Sequence, residues 1–298
     1  MEFFDAHVHL QTLDNLPELM EQAKQAGFVG FICNSTSPAD WDQVLEISEA
    51  YEGVYPCLGV HPLYVENLPS DWLSRLEELL RGHPTAMVGE IGLDKNGADL
   101  DFQEKVFRAQ LELANDLGCP AHIHCVRSWD RLFHVFKTEK DKGKMPPMIV
   151  SHSHHGDKDW IPMLIKEYNA YFSYSSIFVP DNRPKVRACL KATPLDRLLI
   201  ESDAMKNEEK NTADNEKANA IDDEKSKEKA KAKGLSRSPL DIIGLLSEML
   251  KHLNDSEVVA QRGGPLEKGE LAKILCSNGK KVTNWIAEMP ANGRQNGC

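Results

Sequence analysis

Phe3-Phe4-Asp5-Ala6-His7-Val8-His9-Leu10 is the stretch on which the fold turns. Apolar and aromatic residues fill it and the polar pair Asp14-Asn15 follows, so it reads as a short strand. Residues two apart on a strand point the same way. His7 and His9 therefore project side by side, with Asp5 behind them on the same face. Two imidazoles aimed at one point are a chelate for a borderline metal such as zinc. Two alternating core histidines would give the same pattern, and short motifs match by chance. The octapeptide alone leaves both readings open.

Outward from it, strand-like and helix-like segments alternate. Strands are expected at Phe28–Cys33, Val54–Val60, Ala86–Leu93, Pro120–Val126, Met148–His154, Ala170–Ile177 and Arg197–Ser202. Helices are expected between them: Pro17–Ala26, one opening at Ser37-Pro38 with Ser37 as N-cap, Ser70–Leu80, Leu100–Leu117, Ser128–Lys137, Asp159–Tyr168 and Pro184–Lys191. Two more follow at Pro239–Leu253 and Leu266–Ile286. Eight strands, each followed by a helix, is the count of a (β/α)8 TIM barrel of the α/β class. A doubly wound open sheet is the alternative, but no Gly-rich dinucleotide loop follows the first strand.

The 298 residues suit a single barrel domain over 1–298, and the 41% hydrophobic content is enough for a large core. A net charge of −11 argues against broad nucleic-acid binding through a basic face, while leaving room for a local basic pocket or a metal-centred site. The seven cysteines show no Cys-x-x-Cys pairing, which implies reduced thiols, mostly in the core. There is no room before residue 3 for a secretory signal, and no apolar run approaches membrane-spanning length. The expectation is a soluble protein of the cytoplasm or nucleus that is neither secreted nor membrane-bound.

One segment breaks the pattern. Residues 205–235 carry no apolar periodicity, and from Lys206 to Lys233 there are eight lysines and eight acids. Such a Lys/Glu-rich insertion cannot bury enough apolar surface to offset ordering entropy. It is expected to be disordered or a solvated helix beside the barrel mouth, with recruitment of a protein partner as its one candidate role.

Chemistry in such barrels sits at the C-terminal ends of the strands. His7 and His9 end strand one, Glu90 ends strand four, His124 ends strand five, His152 lies on strand six and Asp203 follows strand eight. An unpaired carboxylate in a strand is costly to bury, and a metal would remove that cost. His122 pairs with His124, and His154 with His152, so side-chain direction alone cannot choose within each pair. Nearness to the strand end favours His124. His61 falls at the mouth, where it could donate to a phosphate or cap its loop. His83, His134 and His252 read as surface residues.

The whole set resembles the TatD-type metal-dependent hydrolases, the TatD DNase branch of the amidohydrolase-like barrels. The matching pieces are Asp5-Ala6-His7-Val8-His9, Gly59-Val60-His61-Pro62, Gly89-Glu90-Ile91-Gly92-Leu93-Asp94, Pro120-Ala121-His122-Ile123-His124, Val150-Ser151-His152, Leu199-Ile200-Glu201-Ser202-Asp203-Ala204, and Glu270-Leu271 through Asn278. They span almost the whole chain, and the first and third are the most specific. The resemblance implies that His7, His9 and Asp203 hold one divalent ion, that His124 and His152 hold a second, and that Glu90 bridges them. It selects His152 over His154. It implies a water activated between two ions, Zn²⁺, Mg²⁺ or Mn²⁺, with Asp203 as general base.

Departures fall on substrate-facing positions. Members often have Arg two residues after the strand-five histidine, whereas Arg127 comes third here, so its phosphate contact is shifted in register. Many members have Pro two residues after the catalytic aspartate, where this chain has Met205 and then the charged insertion. His61, Arg127 and His154 are the expected substrate contacts. The function expected is phosphodiester hydrolysis of DNA, a deoxyribonuclease activity. Hydrolysis of a small ester, lactone or amide is the alternative enzyme reading. An adaptor working through the insertion is the non-enzymatic one.

Overall fold

Parallel strands need long crossovers, and this chain supplies them with helices. The computed structural model describes residues 1–176, 182–206 and 238–284. Its eight strands are β1 (Phe3–Val8), β2 (Phe28–Asn34), β3 (Val54–Leu58), β4 (Met87–Asp94), β5 (Ala121–Val126), β6 (Ile149–Ser151), β7 (Ala170–Tyr174) and β8 (Leu198–Ile200). They pair in parallel in strict sequence order. The helices between them are α1 (Leu16–Ala26), α2 (Trp41–Ala50), α3 (Trp72–Gly82), α4 (Leu100–Leu117), α5 (Trp129–Asp141), α6 (Ile161–Tyr168) and α7 (Pro184–Ala192). After β8 come α8 (Ile242–Leu253), α9 (Ser256–Arg262) and α10 (Lys268–Thr283). This is the (β/α)8 barrel expected from the sequence. Strands covered on both faces read as continuous apolar runs, and β1 and β4 are buried at every position.

The seam between β8 and β1 closes just past the end of β8. The His9 N–H donates to the Ala204 carbonyl at 2.9 Å, and the Asp203 N–H to the His7 carbonyl at 3.0 Å. Asp5 clasps the same seam: its carboxylate accepts from the Ser202 N–H at 2.9 Å and the Ser202 hydroxyl at 2.5 Å. Asp5 thus belongs to barrel closure, on the segment that carries His7 and His9. Helix α10 packs over this seam. Gly279 lets it approach, since a Cβ there would lie 2.4 Å from Phe4 Cδ1. The neighbouring Asn278 donates its side-chain amide to the carbonyls of Leu195 (2.7 Å) and Leu198 (2.8 Å), tying the last helix to β8.

Some expectations are corrected. Helix α2 starts at Trp41 with Asp40, not Ser37, at its N-cap position. The Asp40 carboxylate draws in the amides of Thr36 and Ser37, a turn that delays the helix. Helix α9 was not expected, because its seven residues carry too short an apolar pattern. Strand six ends at Ser151 rather than His154, because Ser153 turns in the left-handed region (φ 43°). Residues 207–235 of the charged insertion lie outside the described residues.

Replacing Asn278 with Ala removes the amide donor to the buried Leu198 carbonyl and one of the two donors to the Leu195 carbonyl, which keeps the Leu198 N–H. The expected cost is about 1–2 kcal/mol, measurable as a lowered urea midpoint at unchanged slope.

Candidate metal centre

The centre is assembled at the C-terminal ends of the strands, and Glu90 of β4 is its middle. Its approach to β5 depends on Gly92, whose φ of 150° suits glycine and where a Cβ would lie 1.9 Å from the His124 carbonyl oxygen. The two strands therefore run close enough for Glu90 Oε1 to lie 2.6 Å from His124 Nδ1.

The two oxygens of Glu90 face different imidazoles. Oε2 lies 3.2 Å from His7 Nε2 and 3.6 Å from His9 Nε2. Oε1 lies 2.6 Å from His124 Nδ1, 3.3 Å from His152 Nε2 and 3.6 Å from His61 Nε2. Asp203 joins His7 and His152 in a further potential ligand group. It sits in the left-handed region (φ 51°), which Asp tolerates better than most residues, and so turns inward directly after β8.

Second partners set which ring atom each histidine presents. His9 Nδ1 lies 2.8 Å from the Asn34 carbonyl, which can only accept, so Nδ1 carries the proton and Nε2 offers a lone pair. His124 Nε2 lies 3.1 Å from Asp94 Oδ2, which leaves Nδ1 toward Glu90. His152 Nδ1 lies 3.2 Å from the Glu201 carboxylate, which leaves Nε2 toward Glu90. Glu201 is itself buried and accepts from the Ser173 hydroxyl. A carboxylate or carbonyl behind His9, His124 and His152 is the arrangement that orients metal-ligating histidines, whereas the buried His7 Nδ1 has no hydrogen-bond partner among the described residues.

Electrostatics run in the same direction. Burial would raise the Glu90 carboxyl, but the imidazoles of His152, His61, His7 and His124 hold it well below the usual carboxylate range. Burial, then the neighbouring His152, drives His7 well below the usual imidazole range. His61 is pushed down to about 3 by burial and by His124. Neutral imidazole and ionised carboxylate are the ligand forms. His124 and His152 go the other way: burial opposes their charge, but Glu90 and Asp94 raise His124, and Glu201 and Glu90 push His152 up to about 10.

The donor set fits a metal. The His7 and His9 Nε2 atoms lie 3.3 Å apart. Metal–nitrogen bonds of about 2.0–2.1 Å make a tetrahedral edge of roughly that length. Two nitrogens so close, both turned toward one carboxylate oxygen, are placed for a shared cation. Potential ligand groups form around both sides of Glu90: His7, His9 and Glu90 on one, His61, Glu90 and His124 on the other.

Of the residues expected from the sequence, His7, His9, Glu90, His124, His152 and Asp203 come together here. His61 comes with them, closer than a loop-capping role requires, while its Nδ1 also accepts from the Leu63 N–H at 3.1 Å. Arg127 is exposed at the tip of β5, turned out at φ 54°, and no described contact joins it to the cluster. His154 is not brought to the mouth. It is 0% exposed, its Nδ1 lies 2.8 Å from the Ser151 hydroxyl, and Trp129, Phe172 and Tyr174 pack around it between sheet and helices. The turn at Ser153 separates it from His152. Asp94 and Glu201 were missed as orienting groups. Each stood in a quoted motif, and a carboxylate at the end of a buried strand was the signal.

A model of the TatD-related DNase family matches residues 4–240. The chain belongs to the TatD-related DNase family. Among curated relatives, "3'-5' ssDNA/RNA exonuclease TatD" of Edwardsiella piscicida is 30% identical over 194 residues, covering 64% of this chain and 73% of the relative. "Uncharacterized metal-dependent hydrolase YabD" of Bacillus subtilis is 28% identical over 205 residues, covering 67% and 79%. In fold, the chain is similar to the TatD homologue YjjV of Escherichia coli K12, with a TM-score of 0.74 at 22% identity over 95% of this chain and 98% of that one. As a TatD-family member the chain is a metal-dependent hydrolase. Among the described residues, no helix is long and apolar enough to cross a membrane.

Replacing His154 with Phe removes a buried ring nitrogen that has no partner. It also removes the Nδ1 that pairs with the buried Ser151 hydroxyl, so stability is expected to fall by about 1–3 kcal/mol while kcat/KM stays within about two-fold. Parallel steady-state kinetics and urea unfolding check both.

Proposed function

We propose that the chain hydrolyses phosphodiester bonds of nucleic acid, with single-stranded DNA as its first substrate, at a centre for two divalent ions. One observation carries the reading: each oxygen of the buried Glu90 carboxylate faces its own set of imidazoles. A bridging carboxylate between two cations requires that arrangement. The exonuclease name of the Edwardsiella relative supports nucleic acid as the substrate class.

In this reading His7, His9 and Asp203 would hold one ion, His124 and His152 would hold the other, and Glu90 would offer one oxygen to each side. Such ions supply Lewis-acid stabilisation of phosphoryl charge and a more acidic water. The protein does the rest. Asp203, half-buried beside His7 and His152, takes the proton from the attacking water. Asp94 and Glu201 hold His124 and His152 in the ring orientation the centre needs. Arg127, exposed above β5, is placed to meet a phosphate arriving from solvent.

Asp203→Asn is the discriminating variant, since Asn also tolerates the left-handed backbone at that position. Turnover is expected to fall by about 100-fold or more, with the thermal midpoint nearly unchanged; equal turnover would remove Asp203 from the proton transfer. Elemental analysis of protein purified without chelator is expected to find about two divalent ions per chain, and none would count against the centre. Labelled single-stranded DNA, RNA and small esters, assayed with Zn²⁺, Mg²⁺ and Mn²⁺, identify the substrate. A strand-cleaving enzyme loses affinity steeply as salt rises, whereas a small-ester hydrolase does not.

A further inference from the structure

Few large apolar side chains reach solvent among the described residues, and their distribution is uneven. Five are exposed, and three of them stand on the β3 and β4 side of the mouth: Leu63 (48%), Tyr64 (39%) and Phe102 (42%). Single exposed hydrophobics are ordinary, but a group beside a reaction centre calls for an occupant. Leu63 and Tyr64 belong to the short 3-10 turn Pro62–Tyr64 that begins directly after His61. The Leu63 N–H holds His61 Nδ1, so the turn and the imidazole move as one piece. The Tyr64 ring lies 6.0 Å from the His61 ring, and His61 Nε2 lies 3.6 Å from Glu90. Tyr64 is therefore one residue contact away from the candidate metals.

The neighbouring loop supports the turn from below. A Cβ on Gly97 would lie 2.9 Å from Leu63 Cδ2, so the β4–α4 loop packs closely against Leu63. A separate hollow of about 400 Å³ is lined by Asn67, Leu68, Ser70, Trp72, Phe102 and Lys105. Tyr64 thus presents a partly exposed phenol ring beside the His61 imidazole.

We propose that Tyr64, backed by Leu63, is a stacking platform for a nucleobase next to the scissile phosphate. The proposal rests on the phosphodiesterase reading and adds to it the residue that grips the strand. Single-stranded nucleic acid combines flat apolar bases with regularly spaced anions, and this surface offers an exposed aromatic ring beside a candidate cation centre. Base–aromatic stacking is tolerant of sequence, because every base has a π-face. The platform therefore confers preference for unpaired strands without preference for base identity. A paired base, stacked on its neighbours, would have to be freed before it could reach Tyr64.

The test measures binding apart from cleavage. Fluorescence anisotropy compares a labelled single-stranded oligothymidine with a matched strand carrying abasic sites near the labelled end, on chelator-treated protein so that no strand is cut. Wild type is expected to prefer the strand with bases by about five-fold or more, within the range of one stacked base. Tyr64→Ala should bind both strands equally, at the affinity of the abasic one, while Tyr64→Phe should keep the preference. The residue is exposed, so circular dichroism should show an unaltered fold. Persistence of the preference in Tyr64→Ala, loss of it in Tyr64→Phe, or its absence in wild type would each overturn the platform. A separate assay of metal-loaded wild type on the same oligothymidine distinguishes the two failures. Cleavage without base preference sinks the platform and leaves the nuclease reading, whereas base preference without cleavage does the reverse.

Discussion

A single carboxylate buried among imidazoles is the constraint on which the rest depends. Glu90 is 2% exposed on a strand that is buried at every position, and an isolated charge there would cost several kcal/mol. The fold meets that cost by bringing the ends of four other strands to it. His7 and His9 arrive with β1, His61 with β3, His124 with β5 and His152 with β6. Three of those rings, His9, His124 and His152, are oriented in turn by Asn34, Asp94 and Glu201 from behind. The barrel is thus more than a scaffold under a site. Its closure and its site share residues: the hydrogen bonds that join the His7–His9 segment to Asp203 and Ala204 also complete the circle of strands.

That sharing has a consequence for the chain's long-range organisation. Asp5, buried at the seam, is pushed up to about 8 by burial, against the Ser202 hydroxyl and amide that favour its charged form. Helix α10, far along the chain, covers the same seam through Asn278 and the close approach at Gly279. Residues from the first and last parts of the described chain therefore fix the position of His7. The first ligand pair is therefore held by segments from near both ends of the described chain.

Much of this was legible in the sequence, for physical reasons. Alternation on a strand forces His7 and His9 toward one region, and a Glu inside an apolar strand demands compensation. Those two facts, with the count of strand–helix units, located the mouth, and the resemblance to the TatD-type hydrolases then selected His152 over His154 and assigned the ligand roles. What was not legible depended on backbone turns and on partners distant in sequence. His152 and His154 look equivalent two residues apart, and only the left-handed turn at Ser153 sends one to the mouth and the other between sheet and helices. Asp94 and Glu201 orient rings on other strands, a role that no local pattern encodes. The N-cap of α2 moved from Ser37 to Asp40 because the Asp40 carboxylate captures the preceding amides.

The central claim is that Glu90 stands between two cations. Crystals grown with Mn²⁺, with anomalous data collected near the manganese edge, test it most directly. The account predicts two anomalous peaks per chain. Each should lie within bonding distance of a different Glu90 oxygen, one beside His7 and His9, the other beside His124 and His152. A single peak, or two peaks away from the Glu90 carboxylate, would contradict it.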